Sequence, residues 1–104
     1  MAKRKIITGK DTIYLRLSIM IELLMIILDC RYSEAYKIIV KSKTYKYLVE
    51  EDFATLYDSP QANLSDIGKE LRENHNRLGM KITDQNIIKA TTFLREQNKK
   101  NKCK

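Results

Sequence analysis

The stretch LSIMIELLMIIL, residues 17–28, constrains the fold more than any other part of the chain. Between Ile13 and Leu28 every side chain is apolar except Arg16, Ser18 and Glu22. Wound as an α-helix at about 100° per residue, Asp11, Ser18, Glu22 and Asp29 fall into one stripe roughly 40° wide. Arg16 stands alone, about 120–160° away from them. The rest, roughly three-quarters of the circumference, is apolar, and a helix of that kind is covered on several sides. A bilayer is a poor cover. The apolar run is shorter than the ~20 residues a span needs, and a charge near its middle costs about 2.5–3.5 kcal/mol on insertion scales. Export fits no better: Lys3-Arg4-Lys5 precedes the run as in a signal peptide, but Arg16 and Glu22 interrupt it. Asp29 also stands before Cys30 where a cleavage site wants a small residue. The expected cover is therefore protein, and the expected location the cytoplasm.

The remaining chain reads as further helices. Proline occurs once and glycine three times in 104 residues, so breakers are scarce. Ser33, with Glu34 behind it, reads as the cap of a second helix carrying Ala35, Tyr36, Ile38, Ile39 and Val40 inward. Thr44 reads as the cap of a third, with Tyr45, Leu48 and Val49 inward; both helices are too short to stand without tertiary packing. Ser59-Pro60 is a helix start in which serine caps and proline takes the first helical position. That helix carries Leu64, Ile67, Leu71 and Leu78, and Gly79 in a left-handed conformation is expected to stop it. Thr83 caps a last helix with Ile87, Ile88, Thr91 and Leu94 inward. The expected fold is all-α: a compact bundle of about five helices around a central hydrophobic N-terminal helix. Residues 11–97 form the single helical domain, 1–10 a basic arm and 98–104 a basic tail.

Four shorter helices are too few to cover so wide an apolar arc, and a monomer rarely bares that much apolar surface. The arc at Leu17, Met20, Ile21 and Leu24, together with Tyr57 of the connector, is accordingly the candidate protein interface. It implies a protein partner or a homodimer.

The net charge of +7 raises a second reading. Four of the cations lie in residues 1–10 and four in 98–104, which leaves 11–97 close to neutral. Basicity thus belongs to the ends. Lys89, Arg95, Lys99, Lys100 and Lys102, with Asn86, Thr92 and Gln97 beside them, are the candidate nucleic-acid contacts. Lysine outnumbers arginine there and no aromatic residues interleave, so weak, sequence-independent attraction is the expectation.

Enzymatic chemistry finds no purchase. His75, the single histidine, has no catalytic or metal-ligating neighbour in sequence, and Ser59 has no general base beside it. Cys30 and Cys103 are far apart and lack partners at ligand spacing. The acidic run Glu50-Glu51-Asp52 reads as a solvated turn rather than a cation cage. No cofactor is implied.

Two resemblances bear on function. IGKELRENHNRLGMKIT is similar to the opening helix of phage-repressor helix-turn-helix domains, but the recognition helix that family places after a tight turn has no counterpart. The segment YSEAYKIIVKSKTYKYLVEEDFATLYDSP, residues 32–60, resembles small uncharacterised helical proteins of anaerobic and gut-associated bacteria. Ser42, Thr44, Leu48, Glu51, Thr55, Leu56, Tyr57, Ser59 and Pro60 stand at matching places. Such proteins are often encoded beside toxin-like genes, so the resemblance implies an antitoxin-like or accessory regulatory role. It carries no catalytic residues.

Overall fold

A computed structural model of the chain describes residues 9–50 and 58–102; for 9–12 and 100–102 it describes the backbone alone. Among the described residues are five α-helices and no strand: α1 (Gly9–Leu28), α2 (Tyr32–Val40), α3 (Lys43–Val49), α4 (Pro60–Glu73) and α5 (Asp84–Lys102). A 3₁₀ turn, Arg77–Met80, lies between α4 and α5. The chain is all-α, as its pattern of breakers and apolar spacing requires. No described helix is long and apolar enough to cross a membrane.

Helix α1 touches each of the other four α-helices. Its buried side holds Leu17, Met20, Ile21, Leu23 and Leu24. Around them gather Ala35 and Ile39 of α2, Leu48 of α3, Leu64 and Ile67 of α4, Ile82, and Ile87 and Ala90 of α5. The outward side holds Tyr14, Leu15, Ser18, Glu22 and Ile26. At 100° per residue those five span about 120°, and the polar stripe of Ser18 and Glu22 sits at their centre. Two polar residues thus orient the whole helix. The solvent arc around them also carries apolar side chains.

Arg16 lies on the other side and is put to use. Its Nη1 donates to the Asp58 carbonyl and to Oδ1 of fully buried Asn63 at 3.1 Å, joining α1 to the start of α4. Burying a guanidinium edge is tolerable only with such acceptors in place.

The helix ends differ from expectation in three places. Helix α2 starts at Tyr32 with Arg31 as its N-cap, not Ser33, because Glu34 reaches back to accept from the Arg31 amide at 3.0 Å. Helix α3 is capped by Ser42, whose Oγ accepts from the Tyr45 amide at 3.0 Å, while Thr44 is inside the helix and buried. Helix α4 ends at Glu73, well before Gly79. Its left-handed residue is His75, at φ 59°, and the Asn76 amide donates back to the Leu71 carbonyl at 2.8 Å. Asp29, at φ 52°, closes α1 in the same way, with the Cys30 amide on the Met25 carbonyl at 3.2 Å. Ser59 with Pro60, and Thr83, cap α4 and α5 as expected.

The two described core glycines serve close approach rather than a left-handed turn. A Cβ on Gly68 would stand 2.3 Å from the Ile82 carbonyl oxygen, and one on Gly79 would stand 2.6 Å from the Arg72 amide nitrogen. The segment from Arg77 to Ile82 therefore lies directly on α4. Arg72 holds it there, donating from Nη1 to the carbonyls of Gly79 at 2.7 Å and Ile82 at 3.1 Å. Inward positions differ from expectation as well: Ile88 is 64% exposed and Val49 46% exposed. Ala90 and Thr44 take the buried places, since the wheel positions of Ile88 and Val49 fall outside the contact arc of their helices.

Candidate interaction surfaces

Three surfaces carry chemistry beyond the core. The first is the outward arc of α1. The sequence-predicted interface residues Leu17, Met20, Ile21 and Leu24 are between 0% and 8% exposed and belong to the chain's own core, so they are not surface contacts. The later helices cover that side because four of them converge on it. What remains outward is Tyr14 at 63% exposed, Leu15 at 66% and Ile26 at 36%. Tyr57 lies outside the described residues, as do Glu51 and Asp52 of the acidic connector.

The second surface is the solvent side of α5. Lys89, Arg95 and Lys99 are exposed; Lys100 and Lys102 continue the helix. Register puts Arg95, Lys99 and Lys102 on one line, at spacings of four and three. Lys89 and Lys100 fall on another line, roughly a third of a turn away. The five cations therefore form two rows and not one stripe. Of the polar residues expected beside them, Thr92 is exposed, whereas Asn86 donates from Nδ2 to the Lys81 carbonyl at 2.7 Å and Gln97 is half-buried.

The third surface was not anticipated. An open groove of about 420 Å³ runs between α4 and α5, lined by Asp58, Asp66 and Asp84 together with Gln61, Ala62, Ser65, Ile87 and Ile88. Asp84 is partly engaged, accepting from the Ser65 hydroxyl at 2.7 Å. Asp66 is held above the ordinary carboxylate range, first by desolvation, then by the charge of Asp58 and more weakly by Glu70; Lys69 pulls the other way. Nothing in the linear sequence couples Asp84 to the other two aspartates. Asp84 lies in the first turn of α5, where its charge complements the helix dipole, and only antiparallel packing brings it across.

A further polar cluster is structural. Glu70 of α4 spans the start of α3: its carboxylate accepts from the Lys43 amide at 2.8 Å, the Thr44 amide at 3.0 Å and the Thr44 hydroxyl at 2.6 Å. With Ser42 on the Tyr45 amide and the Ser42 amide on the Ile39 carbonyl at 3.0 Å, every donor at that helix start is satisfied. Cys30 is half-buried, and burial, then Glu34 and Asp29, push its thiol above the ordinary range. Among the described residues no three His, Cys, Asp or Glu side chains converge as metal ligands. No known protein family, curated protein or solved structure matches the chain.

Proposed function

We propose that the chain is a protein–protein interaction module that works through the outward arc of α1. Following the resemblance of residues 32–60, we assign it an antitoxin-like or accessory regulatory role in a bacterial cytoplasm. One observation carries the reading: Tyr14 and Leu15, adjacent on the longest helix, are each more than three-fifths exposed, with Ile26 further along the same arc. Covering a leucine of this kind is worth about 1.5–3 kcal/mol. Tyrosine adds contact area with a polar tip, which suits the centre of an interface.

Self-association is the form of the reading that needs no second protein to test. Light scattering across a hundredfold range of concentration is expected to show a rise toward the dimer mass. Leu15→Glu is expected to weaken that association at least tenfold while leaving the melting temperature nearly unchanged, because the side chain is already in solvent. A wild-type chain that stays monomeric, with Tyr14 and Leu15 amide resonances independent of concentration, rules out the homodimer.

A second reading, nucleic-acid binding, is favoured by the exposure of Lys89, Arg95 and Lys99 together on the solvent side of α5. Three phosphate contacts give a log–log salt slope of about −3 on duplex DNA, and five give about −4 to −5. Titration of a random duplex at two salt concentrations separates this from no binding. Equal affinity for unrelated sequences is the expected result.

A further inference from the structure

A fourth surface lies on α2 and α3, where residues 11–97 depart from their near-neutral average. Between Arg31 and Val49 stand five cations, one acid and four tyrosines. All five cations are exposed, and so are three of the rings: Tyr32 at 55%, Tyr36 at 42% and Tyr47 at 46%. On α2, Tyr32 and Tyr36 share a row about one turn apart, and Lys37 stands about 100° further round, facing away from the core. Only Lys41 and Ser42 join the two helices, so Lys43, Lys46 and Tyr47 of α3 follow directly across the corner. That corner is fixed. The Ser42 amide donates to the Ile39 carbonyl at 3.0 Å, and Glu70 ties the start of α3 to α4. Of the acids at hand, Glu34 and Glu70 accept from backbone amides, while Asp29 and Glu50 bracket the patch at its two ends.

We propose that this corner is a platform for single-stranded nucleic acid, its exposed tyrosine rings stacking on bases and its lysines holding phosphates. The pairing of chemistries decides the partner. A phosphodiester chain rewards clustered cations, and every base has a π-face for a ring, but only an unpaired strand offers that face. A protein partner fits less well, because lysine is depleted at protein interfaces although tyrosine is enriched there. A membrane surface is met by Trp, Phe or Leu beside the cations; the exposed large apolar residues of α2 and α3 are the three tyrosines and Val49. Helices pinned by Ser42 and Glu70 also need little ordering when a strand binds. The platform is separate from the α1 arc and from the cations of α5, and either of those readings can fail without touching it.

Fluorescence anisotropy of the full chain tests it with labelled probes of about 12 nucleotides: single-stranded DNA and RNA of one mixed sequence, and the DNA duplex of that sequence. At least one single strand is expected to bind roughly fivefold or more tightly than the duplex, the contribution of one stacked base. Tyr32→Ala with Tyr36→Ala is expected to weaken single-strand binding by roughly five- to 150-fold for each base that loses its ring, at an unchanged salt slope. Tyr32→Phe with Tyr36→Phe keeps the rings and is expected to keep the affinity. Lys37→Ala with Lys41→Ala is expected instead to flatten the log–log salt slope by about 1.4, two phosphate contacts on a single strand. In the wild-type chain, which needs no variant to fold, the strand is expected to move the amide resonances of Tyr36, Lys37, Lys41 and Tyr47. Single strands bound no better than the duplex overturn the proposal, as does a folded Tyr32→Ala, Tyr36→Ala chain that binds like wild type. Resonance shifts confined to residues outside α2 and α3 overturn it as well. Capture by vesicles containing anionic lipid, with neither single strand bound, assigns the patch to a membrane surface and overturns it equally.

Discussion

Glu70→Ala is the perturbation with the most tightly specified outcome. Its carboxylate accepts three hydrogen bonds at the start of α3, from the amides of Lys43 and Thr44 and from the Thr44 hydroxyl. Loss of a helix cap costs about 0.5–2 kcal/mol, and loss of a negative charge at a helix N-terminus about 0.3–1 kcal/mol. The Thr44 hydroxyl, in a residue only 4% exposed, then lacks its acceptor, which adds about 1–3 kcal/mol. These terms overlap, so the expected cost is about 2–4 kcal/mol. For a domain whose whole stability is about 5–15 kcal/mol, that weakens the fold without abolishing it. Glu70→Gln keeps one oxygen acceptor and is expected to cost about half as much. In a double-mutant cycle with Thr44→Val, about 1–2 kcal/mol of coupling should appear. Urea unfolding gives the totals. Amide exchange gives the location, with protection lost first at Lys46–Val49, because α3 has only 7 residues and cannot persist on its own. A Glu70→Ala chain within 0.5 kcal/mol of wild type, with α3 protection intact, refutes the reasoning.

His75→Gly should stabilise the chain by about 1 kcal/mol, because φ 59° at that position strains any residue with a Cβ; a thermal melt with no rise of a few degrees contradicts it. Gly68→Ala should destabilise by about 1–3 kcal/mol although alanine is the better helix former, since its Cβ would meet the Ile82 carbonyl at 2.3 Å. The sign alone, read from denaturant midpoints, distinguishes close approach from propensity. Cys30 should alkylate more slowly in the folded chain than in urea at pH 8–9, because its thiol is held above the ordinary value of 9.0. The folded thiol keeps a proton that the unfolded chain releases, so stability should fall as pH climbs past about 9. Faster alkylation of the native protein contradicts that assignment.

The orientation of α1 was legible because Ser18 and Glu22 mark its solvent side, and an amphipathic helix turns its polar stripe outward whatever its partners are. The starts of α4 and α5 were legible for a similar reason, since Ser59, Pro60 and Thr83 act on their own backbone within three residues. The start of α3 was not. Thr44 read as its cap; Ser42 takes that place, and Glu70, which accepts from the Thr44 hydroxyl, comes from another helix. Gly79 read as a helix stop because glycine accepts a left-handed backbone; what it accommodates instead is the Arg72 backbone, a contact that sequence spacing does not encode. The surfaces divide in the same manner. The cations of α5 were visible one by one, while their two rows follow only from the helix register. The acidic groove needs α4 and α5 side by side before Asp66 and Asp84 belong together. As for Leu17, Met20, Ile21 and Leu24, their apolarity was plain, but whether a partner or the chain itself covers them depends on how the four later helices converge.

That convergence has a cost in time. Because α1 receives contacts from every later helix, its apolar side leaves the ribosome long before α5, which brings Ile87 and Ala90 to the core, has been made. At typical synthesis rates of about 5–20 residues per second, the nascent rod waits on the order of several seconds for its last shield. Translation interrupted upstream of α5 is expected to leave the apolar side of α1 without the cover of Ile87 and Ala90.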